Sequence, residues 1–175
     1  TSLFRSAQQF RGHSQPQSFL AGIRAADRKG LGAWMLALDA DVIAFQEVRA
    51  LPEQVPPALL EQGHWLFFPA EKKGYSGVAL WSKVPPDEVV RGMGVAAWDA
   101  EGRVITARWG ETRVVSAYFP SGASSVGRQQ AKLDFLQDFQ GWMEAGKFAE
   151  GRTALLGDFN ICHTALDIHN PTRMW

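Results

Sequence analysis

Two apolar runs that end in polar residues are the strongest feature of the hydrophobic pattern. The first occupies residues 42–47 and ends at Glu47, and the second occupies residues 154–160 and carries Asp158 and Asn160. Continuous apolar runs of this length predict strands that are covered on both faces. Ligands and metals gather at strand ends in open α/β sheets, so both runs place polar residues where a site is expected.

Helical and alternating patterns account for the segments between these runs. Apolar residues recur at helical spacing from Leu31 to Leu38 and predict one helix over residues 27–38. Residues 103–109 and 112–119 alternate apolar and polar side chains, which predicts an antiparallel hairpin with one face buried. The other predicted elements are strands over residues 64–68 and 78–81, a helix over residues 56–60, and a helix over about residues 128–146 that Ser124 or Ser125 caps.

The order of these elements predicts a layered α/β sandwich, since helices are interspersed with antiparallel and buried strands. The chain has 175 residues, which is enough for one domain with a substantial core. We expect that domain to occupy residues 19–175. Residues 1–18 are rich in Gln, Ser and Arg and are expected to form a poorly ordered or altered N-terminal segment.

The net charge of the chain is zero, so overall charge predicts no polyanionic partner. Charge is less even locally, because residues 1–30 hold five basic residues, Arg24 among them, against a single acidic residue. This stretch is either a solvated basic edge or a patch that contacts phosphates, and both interpretations stay open.

The cellular location is indicated by the cysteine content of the chain and by the length of its apolar runs. Cys162 has no partner for an internal disulfide, which favours a reducing cytoplasm. No run approaches the roughly 18 apolar residues of a membrane span. Residues 1–18 lack the apolar core of a signal peptide. We therefore expect a cytoplasmic protein without a membrane partner.

The strand-end residues allow two interpretations each. Glu47 is either a Mg²⁺ ligand or a strand-end residue in a salt bridge or helix cap. Asp158 and Asn160 either orient a nucleophilic water and an oxyanion or close the strand in an Asx-turn. Tyr118 is either an amphipathic rim residue or a donor to a phosphate oxygen. The loop over residues 74–77 either presents N–H groups to phosphate or is a glycine-flanked hairpin.

Five segments, taken in order, resemble the exonuclease III family of apurinic/apyrimidinic endonucleases, within the endonuclease/exonuclease/phosphatase superfamily. They are residues 22–26, 41–47, 74–79, 118–120 and 157–161. The Gln-Glu and Gly-Asp-x-Asn motifs are shared across the superfamily, whereas Gly-Ile-Arg-Ala and Gly-Tyr-Ser-Gly are more typical of its DNA-repair branch.

The resemblance implies a role for each candidate residue. By it, Glu47 binds Mg²⁺, with Mn²⁺ as an alternative. Tyr118 lies near the scissile phosphate, Asp158 serves the nucleophilic water or the leaving group, and Asn160 helps to position the phosphate. The residues implied to contact the DNA backbone are Arg24, Gly74 and Tyr75. The implied reaction is Mg²⁺-dependent hydrolysis of double-stranded DNA 5′ to abasic sites, with 3′→5′ exonuclease action or trimming at 3′ ends.

Two departures from the family pattern shape the expectations. Residues 19–21 stand where the family carries an Asn-x-Asn or Asn-x-Asp, so both polar side chains are replaced. The family's second half is also missing, so we expect a sandwich truncated to its first half, with an exposed sheet that permits self-association. The alternatives are a catalytically inactive DNA-binding or interaction module, and a small-molecule phosphodiesterase or phosphatase of the same superfamily.

Overall fold

The computed structural model describes residues 4–6, 22–122, 125–146, 148 and 151–161. Within these residues, eight strands form two four-stranded sheets. The first sheet has the order β1 (Phe4–Ser6), β2 (Val42–Gln46), β4 (Val78–Ser82) and β3 (His64–Phe68). The second has the order β5 (Glu88–Arg91), β6 (Val104–Trp109), β7 (Thr112–Tyr118) and β8 (Arg152–Asp158). The pairs β1–β2 and β7–β8 are parallel, and the other pairs are antiparallel.

The two sheets pack face to face through small and branched side chains, as expected for a sandwich. The buried cluster between them takes residues from both sheets: Val42, Ala44, Val78, Leu80, Ile105, Ala107 and Val114. Side chains alternate along each strand, so neighbouring residues of the same strands face outward to the helices.

Helices cover the outer face of each sheet. The first sheet is covered by α1 (Ile23–Asp27), α2 (Leu31–Leu38) and α3 (Pro57–Leu60), which share a buried cluster with it. The second is covered by α5 (Val126–Ala145), whose Phe135 and Phe139 are buried against it. The result is a helix–sheet–sheet–helix arrangement, and it confirms the predicted layered α/β sandwich.

The helix predicted over residues 27–38 begins only at Leu31 in the structure, as α2, and a separate helix, α1, precedes it and ends at Asp27. Gly30 separates α1 from α2 and adopts a left-handed conformation with φ 90°. A residue in that conformation ends a helix, and glycine adopts it without steric cost. The long helix begins at Val126, slightly before its predicted start, and Ser125 caps it by accepting a hydrogen bond of 3.3 Å from the Arg128 backbone N–H.

The hairpin of β6 and β7 is buried on both faces, contrary to the prediction of one buried face. One face meets the first sheet and the other meets α5. The alternation was misleading because two of its polar residues, Thr106 and Ser116, are small and are themselves buried.

Some elements were not predicted from the sequence. They are β1 in the N-terminal segment, the charged edge strand β5, a 3₁₀ turn over Pro52–Gln54, and the short helix α4 (Ala96–Asp99). The rest of residues 1–18 lie outside the described residues, as do residues 19–21 and Cys162. None of the helices in the described part of the chain combines the length and apolarity that crossing a membrane requires.

Candidate active site

Glu47 directly follows β2, at a point where the backbone turns. Its φ of 53° lies in the left-handed region, which a non-glycine residue rarely adopts. Its Oε1 accepts hydrogen bonds from the Tyr118 hydroxyl and, at 3.0 Å, from Arg49 Nη2. The carboxylate is therefore in a salt bridge, as one sequence interpretation expected, and it also holds the end of a strand of the opposite sheet.

The Tyr118 hydroxyl is a neutral hydrogen-bond donor in this setting. Burial raises the pKa of Tyr118 well above its ordinary value, and the hydrogen bond and charge of Glu47 raise it further. The charge of Asp158 acts in the same direction, whereas Arg103 opposes the shift. A phenol that keeps its proton can donate to one acidic oxygen, be it a carboxylate or a phosphate.

Asp158 and Asn160 lie beside Tyr118 because β7 and β8 are parallel. Asp158 is the register partner of Tyr118, so both strands end together. The Asn160 backbone N–H donates to Asp158 Oδ1 at 3.0 Å, and Asn160 Nδ2 donates to the Phe119 carbonyl at 2.8 Å. The Asx-turn is therefore real, and it fixes the pair at the same edge as Glu47 and Tyr118.

A polar contact joins the two sheets directly below these residues. Gln46 Nε2 donates to Ser116 Oγ at 3.0 Å, and this hydroxyl lies 3.4 Å from the Phe45 carbonyl, to which it donates. Buried polar groups need partners, so this contact specifies how β2 sits against β7. It thereby sets the relative position of Glu47 and Tyr118.

Helix α1 is attached to the turn that carries Glu47. The Ile23 N–H donates to the Val48 carbonyl at 3.1 Å. A side chain at Gly22 would collide with the same carbonyl oxygen, and Gly22 has a φ of 69° that only glycine adopts easily. Arg24 is exposed on this helix, so it lies near the candidate site and is open to solvent.

The loop over residues 72–77 connects β3 to β4. Gly74 has a φ of 72° and open space around it. The Tyr75 hydroxyl accepts hydrogen bonds of 3.3 Å from both Arg103 and Arg128, and it lies 3.5 Å from Glu101, to which it donates. Its hydrogen-bonding capacity is thus used within the protein. A phosphate at this loop would meet its exposed backbone and the exposed Lys72 and Lys73 first.

Sequence reasoning missed the cations behind the candidate residues. Arg103 donates to the Tyr118 carbonyl at 2.8 Å, and Lys132 Nζ donates to the Asn160 carbonyl at 2.6 Å. Arg128 and Lys132 are one helical turn apart on α5, a spacing that could have indicated a shared face towards the site. Arg103 offered no such signal, because it precedes an apolar strand and acquires its partners only through folding.

The carboxylates at the candidate site could supply some, but not all, of the ligands of a hydrated metal ion. Among the described residues, no group of three or more His, Cys, Asp and Glu side chains could hold a metal ion. Mg²⁺, however, typically takes one or two carboxylates and keeps several waters. Glu47 offers one such carboxylate from the first sheet, and Asp158 is a second acid, which ends β8 of the second sheet beside Tyr118. These oxygen ligands suit Mg²⁺ or Mn²⁺ rather than zinc.

Comparison with known proteins identifies the family to which this protein belongs. The chain belongs to the Endonuclease/Exonuclease/phosphatase family, whose pattern it matches over residues 20–174. All four candidate catalytic and metal-binding residues lie within this range: Glu47, Tyr118, Asp158 and Asn160.

Two curated relatives of the chain are nucleases. The DNA repair nuclease APEX1 of Danio rerio is 32% identical over 154 residues, which cover 86% of this chain and 49% of the relative. An exodeoxyribonuclease of Bacillus subtilis is 33% identical over 152 residues, which cover 86% of this chain and 59% of the relative. The resemblance to the exonuclease III family is thereby confirmed. The chain spans about half the length of these curated relatives.

A solved structure agrees with the fold. The structure of an AP endonuclease from Archaeoglobus fulgidus matches with a TM-score of 0.74 at 23% identity, covering 87% of this chain and 59% of that chain. At this identity the likeness supports the shared α/β architecture alone.

Proposed function

We propose that this chain carries part of the active site of a divalent-metal-dependent DNA-repair nuclease. The reaction would be hydrolysis of the phosphodiester 5′ to an abasic site, with 3′→5′ exonuclease action or trimming at 3′ ends. The observation that carries the proposal is the hydrogen bond from Tyr118 to Glu47, which joins the two sheets at the edge where Asp158 ends β8.

The residues at this edge have complementary tasks in the proposed reaction. Glu47 and the oxygens around it would hold Mg²⁺ or Mn²⁺, which would supply charge stabilisation at the phosphate. Tyr118 keeps its proton and would donate to a phosphate oxygen. The Asp158 carboxylate would accept a proton from the attacking water or direct it. Asn160, fixed by its contact with the Phe119 carbonyl, would orient the phosphate.

The surroundings favour a nucleic-acid backbone as the substrate. Arg24, Lys72 and Lys73 are exposed, and Arg128 on α5 is partly exposed. Together they offer positive charge beside an active-site edge on a chain whose net charge is zero. Positive residues along one edge are what a phosphate backbone requires, and their contribution weakens as salt rises.

A single-turnover nicking assay tests the proposal. The substrate is a duplex with one abasic site, used at saturating protein and millimolar Mg²⁺, with wild-type chain and the Glu47→Gln variant. We expect metal-dependent nicking at least about 100-fold slower than that of a full-length relative, the typical cost of losing a preorganised donor. Nicking that persists in excess EDTA, or that Glu47→Gln leaves unchanged, would refute the chemistry. Competition by small phosphoesters would instead favour a phosphodiesterase or phosphatase.

The second candidate is a catalytically inactive DNA-binding or interaction module. The replacement of both polar residues that the family carries at residues 19–21 favours it. Such a module would bind duplex DNA in a salt-dependent way but would show no nicking at any metal concentration.

Location and assembly remain further parts of the proposal. A cytoplasmic location rests on the single cysteine of the chain, and fractionation of cells that express the tagged protein would test it. Self-association through the partly exposed β8 is also proposed, and sedimentation velocity at several concentrations would reveal or exclude it.

A further inference from the structure

Arg103 is a buried cation that contacts both tyrosines of the chain. Only 2% of the residue is exposed. Its Nη1 donates to the Tyr118 carbonyl at 2.8 Å, its Nη2 donates to the Tyr75 hydroxyl at 3.3 Å, and its guanidinium lies 5.2 Å from the centre of the Tyr118 ring. The Tyr118 N–H returns a hydrogen bond of 2.8 Å to the Arg103 carbonyl. Arg103 is thereby bound to the end of β7 through Tyr118 and to the loop over residues 72–77 through Tyr75.

The remaining nitrogen of this guanidinium meets a carboxylate. Arg103 Nε lies 2.5 Å from Glu101 Oε2, to which it donates. Burying a guanidinium is costly unless its partners are well placed, and an apolar side chain often stabilises a core as well or better. Stability alone therefore does not account for an arginine at this position. The planar guanidinium group of Arg103 donates to three different acceptors in fixed directions.

Tyr75 and Tyr118 have different roles in the proposed function. Tyr75 belongs to the loop that would meet a phosphate of the DNA backbone, and Tyr118 contacts Glu47 at the candidate active site. The Tyr75 hydroxyl is held on one side by Arg103 and on the other by Arg128 of α5. Of these two arginines, Arg103 also donates a hydrogen bond to the Tyr118 carbonyl, whereas Arg128 interacts with Tyr118 through its charge.

We propose that Arg103 is a positioning residue that fixes the loop over residues 72–77 against Tyr118, so that the phosphate-contact loop and the active-site edge keep one relative geometry. Arg103 acts through its two tyrosine partners and does not touch the DNA itself, because it is buried. The part of this inference that concerns DNA rests on the proposed function, whereas the coupling of the two tyrosines does not.

The first test uses the small number of tyrosines. The chain has two, so labelling with ζ-¹³C tyrosine gives one NMR signal for Tyr75 and one for Tyr118, assigned with Tyr75→Phe and Tyr118→Phe variants. We expect Arg103→Met to displace both signals. Arg103→Lys should restore the Tyr118 signal better than that of Tyr75, because an ammonium lacks the fork that reaches both. A folded Arg103→Met protein with both signals unmoved would overturn the proposal.

Arg113 provides a matched control for this experiment. It also donates to a backbone carbonyl, that of Gly146 at 3.3 Å, and lies over an aromatic ring, that of Phe148 at 5.3 Å. It is at the opposite end of β7 from Tyr118. Arg113→Met should leave both tyrosine signals in place. If Arg103→Met does not fold, as judged by circular dichroism, the Arg103→Lys variant alone decides: an unmoved Tyr75 signal would overturn the proposal.

The second test separates positioning from direct phosphate contact. Binding to an abasic duplex is measured at several salt concentrations. We expect Arg103→Met to weaken DNA binding about tenfold, which is the lower end of the effect of losing a residue that positions a contacting side chain. The slope of log affinity against log salt concentration should stay unchanged. Loss of one direct phosphate contact lowers that slope by about one, and Lys72→Met should show this behaviour. A lowered slope in Arg103→Met would contradict positioning. If the wild-type chain binds no DNA, the proposed function fails while the tyrosine result stands separately.

Discussion

Strands β2 and β8 have similar apolar sequences and both end at the candidate active site, yet they are covered differently. Residues 42–45 of β2 are buried, with Ile43 at 0% exposure, because helices cover one face and the second sheet covers the other. Residues 153–158 of β8 are partly exposed. Among the described residues, β8 pairs with β7 on one side only.

The prediction that both runs are covered on both faces is therefore correct for β2 and correct only in part for β8. Leu155 packs against the cluster beneath α5 and Leu156 against the cluster between the sheets, but both side chains stay partly exposed. An apolar run specifies a strand, but the burial of that strand depends on its neighbours in the sheet. The same difference affects the acids. The Glu47 carboxylate accepts hydrogen bonds from two side chains, those of Arg49 and Tyr118, whereas the Asp158 carboxylate accepts one from the Asn160 backbone N–H.

The largest expected difference between the strands concerns stability. Ile43→Ala should lower the free energy of unfolding by about 2–5 kcal/mol, because it leaves a cavity in a fully covered position. Leu155→Ala at the centre of β8 should cost about half as much, since part of that side chain is already in contact with water. Urea unfolding of both variants gives the two values. Equal losses would show that β8 is covered as completely as β2.

A smaller effect is expected at the contact between the two sheets. Tyr118→Phe removes the hydroxyl that donates to Glu47 and should cost about 1–2 kcal/mol. The pKa of Tyr118 is raised in the folded state. The contribution of this phenol to the free energy of unfolding is therefore complete below the pKa of tyrosine in the unfolded chain. It is lost as pH rises, because the unfolded phenol releases its proton first.

Urea midpoints measured in metal-free buffer between about pH 9 and pH 11 would test this pH dependence. The wild-type chain should lose stability more steeply with rising pH than Tyr118→Phe does. The same slope in both proteins would show that the Tyr118 phenol is not held in its protonated form by folding.

Much of the fold followed from local sequence. The strands β2 and β4 were predicted because they are short apolar runs between turn residues, and the hairpin because Gly110 and Glu111 interrupt an alternating pattern. The late start of α2 was missed because Arg28 and Lys29 are good helix formers and Gly30 alone marks the boundary. The charged strand β5 was missed because it lies at a sheet edge, where little side-chain burial is required.

The candidate site was predictable only in its strand-end residues. Glu47 and Asp158 follow apolar runs, so their sequence position indicates an edge of a sheet. Arg103 and Ser116 acquire their importance from contacts with residues distant in the chain, and neither has a local pattern that indicates those contacts. Long-range contacts of this kind decide which side chains meet.

Titration with Mn²⁺ shows whether the ends of β2, β7 and β8 form one metal-binding edge. Bound Mn²⁺ broadens NMR signals of nearby nuclei, and the ζ-¹³C tyrosine signals report on both tyrosines of the chain. We predict that Mn²⁺ broadens the Tyr118 signal before that of Tyr75, that Mg²⁺ competes, and that Glu47→Gln abolishes the effect. A Tyr118 signal that stays sharp at millimolar Mn²⁺, or broadening that survives Glu47→Gln, would show that Glu47 and Tyr118 do not belong to a metal-binding edge.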